Sequence, residues 1–379
     1  MEHAQTATSV KKEADPIRVM VVDDSAVVRG LISRMIEAEK DMVVAASVGN
    51  GQIAVSTFAR SEIDIVVLDI EMPVMDGLTA LPKLLEVDPE VKVIMASTLT
   101  VRNAEISIRA LERGAADYVP KPSSSRELSG GMDFRRELIE KVRHLGNVRR
   151  ETRRAKGPTR PTSPSHAAPA PLLKKASVEI KLRPQPDVRP DVLAIGSSTG
   201  GPQALLSVLK GINPNPRVPI FITQHMPATF TAVLADHIAR STGLACAEAK
   251  DGEQVVAGRV YLAPGNYHML IERNGAQIVV RLNDGPPENY CRPAVDPMLR
   301  SIAQVYGGRA LVAILTGMGA DGLKGGKEIT AAGGAVIAQD EATSVVWGMP
   351  GAVATEGLCS AVLPISHVAP FINRMIGKA

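Results

Sequence analysis

Aromatic residues make up only 3% of the 379-residue chain, with a single tryptophan. That leaves few platforms for stacking nucleic-acid bases. Cysteine is equally scarce: Cys246, Cys291 and Cys359 are too few and too scattered for a disulfide framework or a thiolate metal cluster. No apolar run reaches the roughly 20 residues that a membrane helix needs. The opening MEHAQTATSVKKEAD lacks the apolar stretch of a secretory signal. These absences point to a cytoplasmic protein with no direct membrane insertion. Hydrophobic residues, at 45%, suffice for ordinary packed cores. At about 100–200 residues per domain, two domains are expected.

The net charge of +3 hides an uneven distribution. Residues 149–190 hold eleven basic and three acidic side chains and eight prolines. Such a stretch buries too little apolar area to offset its ordering entropy, so a semi-extended linker is expected. Residues 1–148 carry −5 and residues 191–379 are neutral. The expected organisation is a disordered tail at 1–16, a domain at 17–140, a Pro-rich basic linker at 141–189 and a second domain at 190–379.

Both domains read as α/β, as two doubly wound parallel sheets. In the first, Ile17–Val22, Met42–Ala46, Ile65–Leu68, Lys92–Ala96 and Tyr118–Val119 are short apolar runs separated by amphipathic stretches. In open sheets of this kind ligands sit beyond the carboxyl ends of the strands. Asp23 and Asp24 follow the first run and Asp69 the third, so three carboxylates converge on one rim. They repel one another unless a cation joins them, and oxygen-only ligands favour Mg²⁺ or Mn²⁺. Ser97, Thr98 and Lys121 add a hydroxyl and a cation to that rim.

VMVVDDSAVVR, VVLDIEMPVMDGL, VIMAST and ADYVPKP together resemble the signature set of a two-component receiver domain. The resemblance implies a flavodoxin-like fold, phosphorylation of Asp69 by a chemotaxis histidine kinase, and Mg²⁺ held by Asp23, Asp24, Asp69 and the carbonyl of Glu71. It also implies that Lys121 pairs with the phosphoryl group. Ser97 and Tyr118 would form a coupled switch, with Thr98 the nearby alternative for the hydroxyl.

In the second domain, apolar runs at Val192–Ile195, Val218–Ile222, Ala310–Leu315 and Ala335–Ala338 alternate with helical patterns, around a β-rich insert at about 244–281. Polar residues again follow strands. LAIGSSTGGP turns sharply into a helix, and a serine there would be lifted clear of the sheet near helix-end N–H groups. IFITQHMP places His225 just past a strand, and LVAILTGMGADG places Asp321 in a glycine-rich turn. A nucleophile, a base and an orienting carboxylate on one sheet edge satisfy the Ser-His-Asp roles in any chain order. His268, in APGNYHM, is the rival histidine.

GSSTGG, TQHMP and TGMGADG in this order resemble the catalytic domain of the chemotaxis protein-glutamate methylesterases, the CheB family, here Rossmann-like with a β-rich insert. The resemblance implies Ser198 as nucleophile, His225 as base and Asp321 as its partner. Met318 would supply an oxyanion N–H, and Thr199 and Arg292 would line the substrate cleft. No cofactor is expected for this domain. The implied substrates are glutamate methyl esters, and some glutamines, of methyl-accepting chemoreceptors. The alternative is a response regulator whose second domain binds DNA or is a catalytically dead interaction module. Against nucleic acid stand the neutral second domain and the want of a helix-turn-helix pattern.

Overall fold

The computed structural model describes residues 15–121, 132–156, 180–185 and 188–377. The first domain is a five-stranded sheet of β1 (Ile17–Val22), β2 (Met42–Val48), β3 (Ile65–Asp69), β4 (Lys92–Ser97) and β5 (Asp117–Pro120). Every pairing is parallel, in the order β2-β1-β3-β4-β5. Between the strands run α1 (Ala26–Glu37), α2 (Gly51–Phe58), α3 (Gly77–Val87) and α4 (Val101–Glu112). Each begins on a polar cap: Ser25, Asn50, Asp76 and Thr100 accept from the backbone N–H three residues on. β3 is buried at every residue, as a central strand covered on both faces must be.

The last helix of this domain, α5 (Met132–Lys156), corrects the expected linker. Its apolar residues Leu138, Val142 and Leu145 are buried against the sheet. Arg149, counted above with the linker's charge, is buried and ion-paired with both Asp88 and Glu90. The helix therefore occupies 141–156 of the segment expected to be linker. Residues 157–179, the core of that expectation, lie outside the described residues, as does most of the N-terminal tail.

The second domain is built on seven parallel strands: β6 (Val192–Ser197), β7 (Ile220–Gln224), β8 (Ala245–Glu248), β9 (Arg259–Leu262), β12 (Ala310–Ile314), β13 (Ala335–Gln339) and β14 (Cys359–Leu363). Their order is β14-β13-β12-β6-β7-β9-β8. The expected β-rich insert is thus narrower than its composition suggests. β8 and β9 extend the main sheet in parallel, and only β10 (His268–Asn274) and β11 (Gln277–Asn283) form a separate antiparallel hairpin. The sheet is flanked by α6 (Gly201–Gly211), α7 (Ala228–Thr242), α8 (Val295–Tyr306), α9 (Leu323–Ala331), α10 (Met349–Thr355) and α11 (Ile365–Gly377). Among the described residues no helix is long and apolar enough to cross a membrane.

Candidate active site

The three central strands of the second sheet, β12, β6 and β7, are neighbours, and one candidate residue follows each. Ser198 stands just past β6, His225 just past β7, and Asp321 on the loop leaving β12. Parallel strands place all three at the same sheet edge. His225 Nε2 and Asp321 Oδ2 are 2.7 Å apart. Ser198 lies in a tight turn in which Gly201 N donates to its carbonyl at 2.7 Å. Among the described residues no hydrogen bond joins Ser198 to His225; the other ring nitrogen, Nδ1, is 3.3 Å from Cys291 Sγ.

Residues that the sequence patterns did not single out hold this arrangement. Gln224 clamps the two turns together: its Nε2 donates to the carbonyls of Ser198 (2.9 Å) and His225 (3.2 Å), and its Oε1 accepts from Ser197 (2.7 Å). A Cβ at Gly201 would fall 2.0 Å from Gln224 Oε1, so a larger residue there would displace this clamp. Gly317 is constrained in the same way, since a Cβ would meet Ser198 Cβ at 2.9 Å. That close approach brings the Met318 segment beside the serine. Among the described residues the Met318 N–H donates to no partner.

Asp321 sits at the N-terminus of α8, where it accepts from Val295 N (2.6 Å) and Asp296 N (2.9 Å), and also from Gly322 N (3.0 Å) and Asn289 Nδ2 (2.9 Å). Burial works against its charge. The His225 hydrogen bond and charge, with the backbone donors, outweigh burial and bring its pKa to about 2. Asp296 in turn caps α9 through Gly322 N (3.0 Å) and Gly325 N (2.7 Å). Burial first, and then the adjacent Asp321 charge, raise the pKa of Asp296. His225 is disfavoured as a cation by burial, yet Cys291 and Asp321 carry its pKa up to about 10. The rival His268 is buried and fully engaged, with Nε2 on Pro286 O (3.1 Å) and Nδ1 accepting from Ala294 N (3.2 Å).

The two residues expected to line the cleft are both engaged within the protein. Thr199 is only 2% exposed, packed beside Asp117 of the first domain. Arg292 is half-buried, and its Nη1 donates to the carbonyls of Asp284 (2.5 Å) and Gly285 (2.8 Å), which ties the head of the side chain to its own loop.

In the first domain the carboxylates of Asp23, Asp24 and Asp69 offer oxygens within 4.8 Å of one another. Lys121 Nζ contacts Asp23 (2.6 Å) and Asp69 (2.7 Å). Burial raises Asp69 to about 6 despite Lys121, and Asp23 adds to the rise. This crowding of negative charge fits a divalent cation, whose arrival would relieve it. The Glu71 side chain accepts weakly from Asn103 Nδ2 (3.3 Å), which also donates to Thr98 (2.7 Å). Ser97 accepts from Ser107 of α4 at 3.2 Å.

The two domains meet where α4 packs against α6 and α7, where Tyr118 of β5 reaches α7, and where Arg136 of α5 reaches Tyr290. Tyr118 stacks on Phe230 with ring centroids 4.4 Å apart. Gln203 Nε2 donates to the carbonyl of Ala115 (2.8 Å), and His237 Nε2 pairs with Glu112 (2.9 Å). Met318, Val345 and Val346 pack into the hydrophobic cluster of the first domain.

Comparison with known proteins follows the same division. Residues 19–131 match the response regulator receiver domain, and residues 193–372 match CheB methylesterase. The chain is 58% identical over 370 residues to protein-glutamate methylesterase/protein-glutamine glutaminase 1 of Paramagnetospirillum magneticum, covering 96% of this chain and 97% of that protein. It is 57% identical over 373 residues to protein-glutamate methylesterase/protein-glutamine glutaminase of Azospirillum brasilense, covering 96% and 94%. The chain belongs to the CheB family. The crystal structure of the Thermotoga maritima CheB methylesterase catalytic domain aligns with 50% of this chain and all of that one, at 39% identity and a TM-score of 0.49. The family matches and the two parallel sheets together make the chain a receiver joined to a methylesterase domain.

Proposed function

We propose that this chain is a phosphorylation-activated protein-glutamate methylesterase of chemosensory adaptation. It hydrolyses glutamate methyl esters on the cytoplasmic helices of methyl-accepting chemoreceptors and deamidates specific receptor glutamines. The observation that carries this reading is the His225–Asp321 pair at 2.7 Å beside the Ser198 turn, in a chain 58% identical to a named methylesterase/glutaminase.

Ser198 Oγ attacks the ester carbonyl. Its proton passes to His225 Nδ1, because Nε2 is engaged by Asp321. The Asp321 carboxylate fixes the tautomer and stabilises the imidazolium. The Met318 N–H, which has no partner among the described residues, would donate to the oxyanion, where one donor is typically worth ~3–4 kcal/mol. The proton returns to the leaving oxygen, methanol departs, and water attacks the acyl-serine by the reverse proton path. With a glutamine side chain the leaving group is ammonia, a poorer one, so the amide reacts more slowly.

In the receiver, Asp69 is the nucleophile towards a phosphohistidine of the chemotaxis kinase. One of its oxygens forms the P–O bond as the P–N bond breaks, giving an acyl phosphate. Asp23, Asp24, Asp69 and the Glu71 carbonyl would hold Mg²⁺, which when bound screens the charge of the phosphoryl group. Lys121 then pairs with a phosphoryl oxygen, and Ser97 turns from Ser107 to donate to another. The receiver packs against α7 and the β12 loop, so a change at Ser97 and Tyr118 alters how the esterase is covered.

Mass spectrometry of receptor peptides tests this reading. Incubation with the phosphorylated chain should convert methyl-glutamate to glutamate and selected glutamines to glutamate. Unchanged peptides would refute it.

A further inference from the structure

One four-residue turn touches the receiver and both members of the His225–Asp321 pair. Cys291 N donates to Glu288 O at 2.9 Å, and Glu288 N to Cys291 O at 3.1 Å. The residues between them, Asn289 and Tyr290, both adopt left-handed φ, 53° and 63°. This is the pattern of a type I′ turn, which suits asparagine but strains a tyrosine. Each residue has its own partner. Glu288 is held by Arg300 at 2.8 and 2.6 Å. Asn289 Nδ2 donates to Asp321 Oδ1 at 2.9 Å. Tyr290, 79% exposed, lies under the guanidinium of Arg136, 4.5 Å from its ring centroid. Arg136 belongs to α5 of the receiver. Cys291 Sγ is 3.3 Å from His225 Nδ1.

Nδ1 is the nitrogen that must take the proton of Ser198, since Nε2 is bonded to Asp321. Cys291 stands on it, and Ser198 is not joined to it. We propose that the unphosphorylated chain is held inactive by capture of its base: Cys291 occupies Nδ1 of His225, and the receiver keeps it there through Arg136 on Tyr290. The proposal rests on the Ser198–His225–Asp321 reading given above. It differs from simple covering of the cleft, because it places the block on one nitrogen lone pair. Whether the shared proton resides on sulfur or on nitrogen, that lone pair is taken up. Against burial, Cys291 and Asp321 both favour the protonated ring, and this further opposes uptake of the Ser198 proton. Movement of α5 away from Tyr290 frees the turn, Cys291 leaves Nδ1, and Ser198 gains its base.

The test uses the full-length chain, with a fluorophosphonate probe that labels an activated serine. Without phosphodonor, Cys291→Ala should label Ser198 about a hundredfold or more faster than wild type, the range that a general base contributes. Cys291→Ser should stay slow, because its hydroxyl can still share a hydrogen bond with Nδ1. Tyr290→Ala and Arg136→Ala should also label faster, and the Arg136→Ala/Cys291→Ala pair no faster than Cys291→Ala. The Tyr290 variant, distant from the imidazole, keeps the test intact if the cysteine variant fails to fold. Labelling of Cys291→Ala at the wild-type rate, or of Cys291→Ser as fast as Cys291→Ala, overturns the proposal. If the phosphorylated wild type labels at Ser198 yet leaves methylated receptors unchanged, the substrate reading falls and the cysteine comparison still decides base capture. If receptors are demethylated but Cys291→Ala gains nothing, base capture falls alone. No labelling of Ser198 under any condition overturns both.

Discussion

The rings of Tyr118 and Phe230 are stacked 4.4 Å apart and within 8° of parallel. One belongs to β5 of the receiver, beside the phosphorylation rim, and the other to the first turn of α7, five residues after His225. The aromatic expected to respond to phosphorylation is therefore in direct contact with the helix that follows His225, the proposed base.

Tyr118→Leu should raise the methylesterase rate of the unphosphorylated chain. An aromatic stack contributes about 0.5–1.5 kcal/mol beyond its area, so the open population should rise roughly two- to tenfold. Leucine keeps the position apolar, which limits the loss of core packing. Methanol release measured without phosphodonor checks this. An unchanged basal rate would show that the stack does not hold the closed arrangement.

Asp321→Asn should lower kcat by about 10³–10⁴-fold, because an amide does not fix the imidazole tautomer as a carboxylate does. The fold should survive, since the asparagine oxygen still accepts at the N-terminus of α8. A kinetic assay with a matching thermal melt separates the two effects.

The His225–Asp321 pair also sets a pH window for stability. The depressed Asp321 pKa gives stability that is present above its ordinary value near 3.8 and lost as pH falls through about 2. The raised His225 pKa gives stability fully present below about 6.5 and lost as pH rises through about 10. The pair should contribute of the order of 2 kcal/mol at neutral pH. Denaturant unfolding of wild type and His225→Gln should diverge most between pH 4 and 6.5 and converge towards pH 10. Parallel pH curves would contradict the pairing.

Mg²⁺ should stabilise the chain. At roughly a hundred times its Kd a cation adds about 2.7 kcal/mol to the state that binds it. Asp24→Asn should abolish the resulting rise in Tm, because Asp24 is the exposed member of the carboxylate trio and contributes little to the fold without the ion. A full Mg²⁺ response in Asp24→Asn would place the ion elsewhere.

Much of this molecule was legible in its sequence for a physical reason: parallel sheets put chemistry at strand ends, and strand ends are easy to see. Ser198, His225, Asp321 and the receiver acids each follow an apolar run that the structure confirms as a strand. Asn289, Cys291, Asp296 and Gln224 were not legible, because their meaning comes from partners distant in the chain. Cys291 is 66 residues from His225, and Asn289 is 32 from Asp321. A signal was present in ENYCRPAVDP, where an acid opens a helix after a polar turn, but nothing local says that the turn reaches another loop. The linker expected to start at 141 falls inside α5 for a related reason. Arg149 looks like part of a solvated charge run until Asp88 and Glu90 are seen to bury it.

The most direct test of the account is methanol release from methylated receptor membranes by wild type and Ser198→Ala, each with and without a small-molecule phosphodonor. The account predicts slow release by wild type, faster release once Asp69 is phosphorylated, and none from Ser198→Ala even though its Asp69 still takes up phosphate. Methanol released by Ser198→Ala at near the wild-type rate would contradict it.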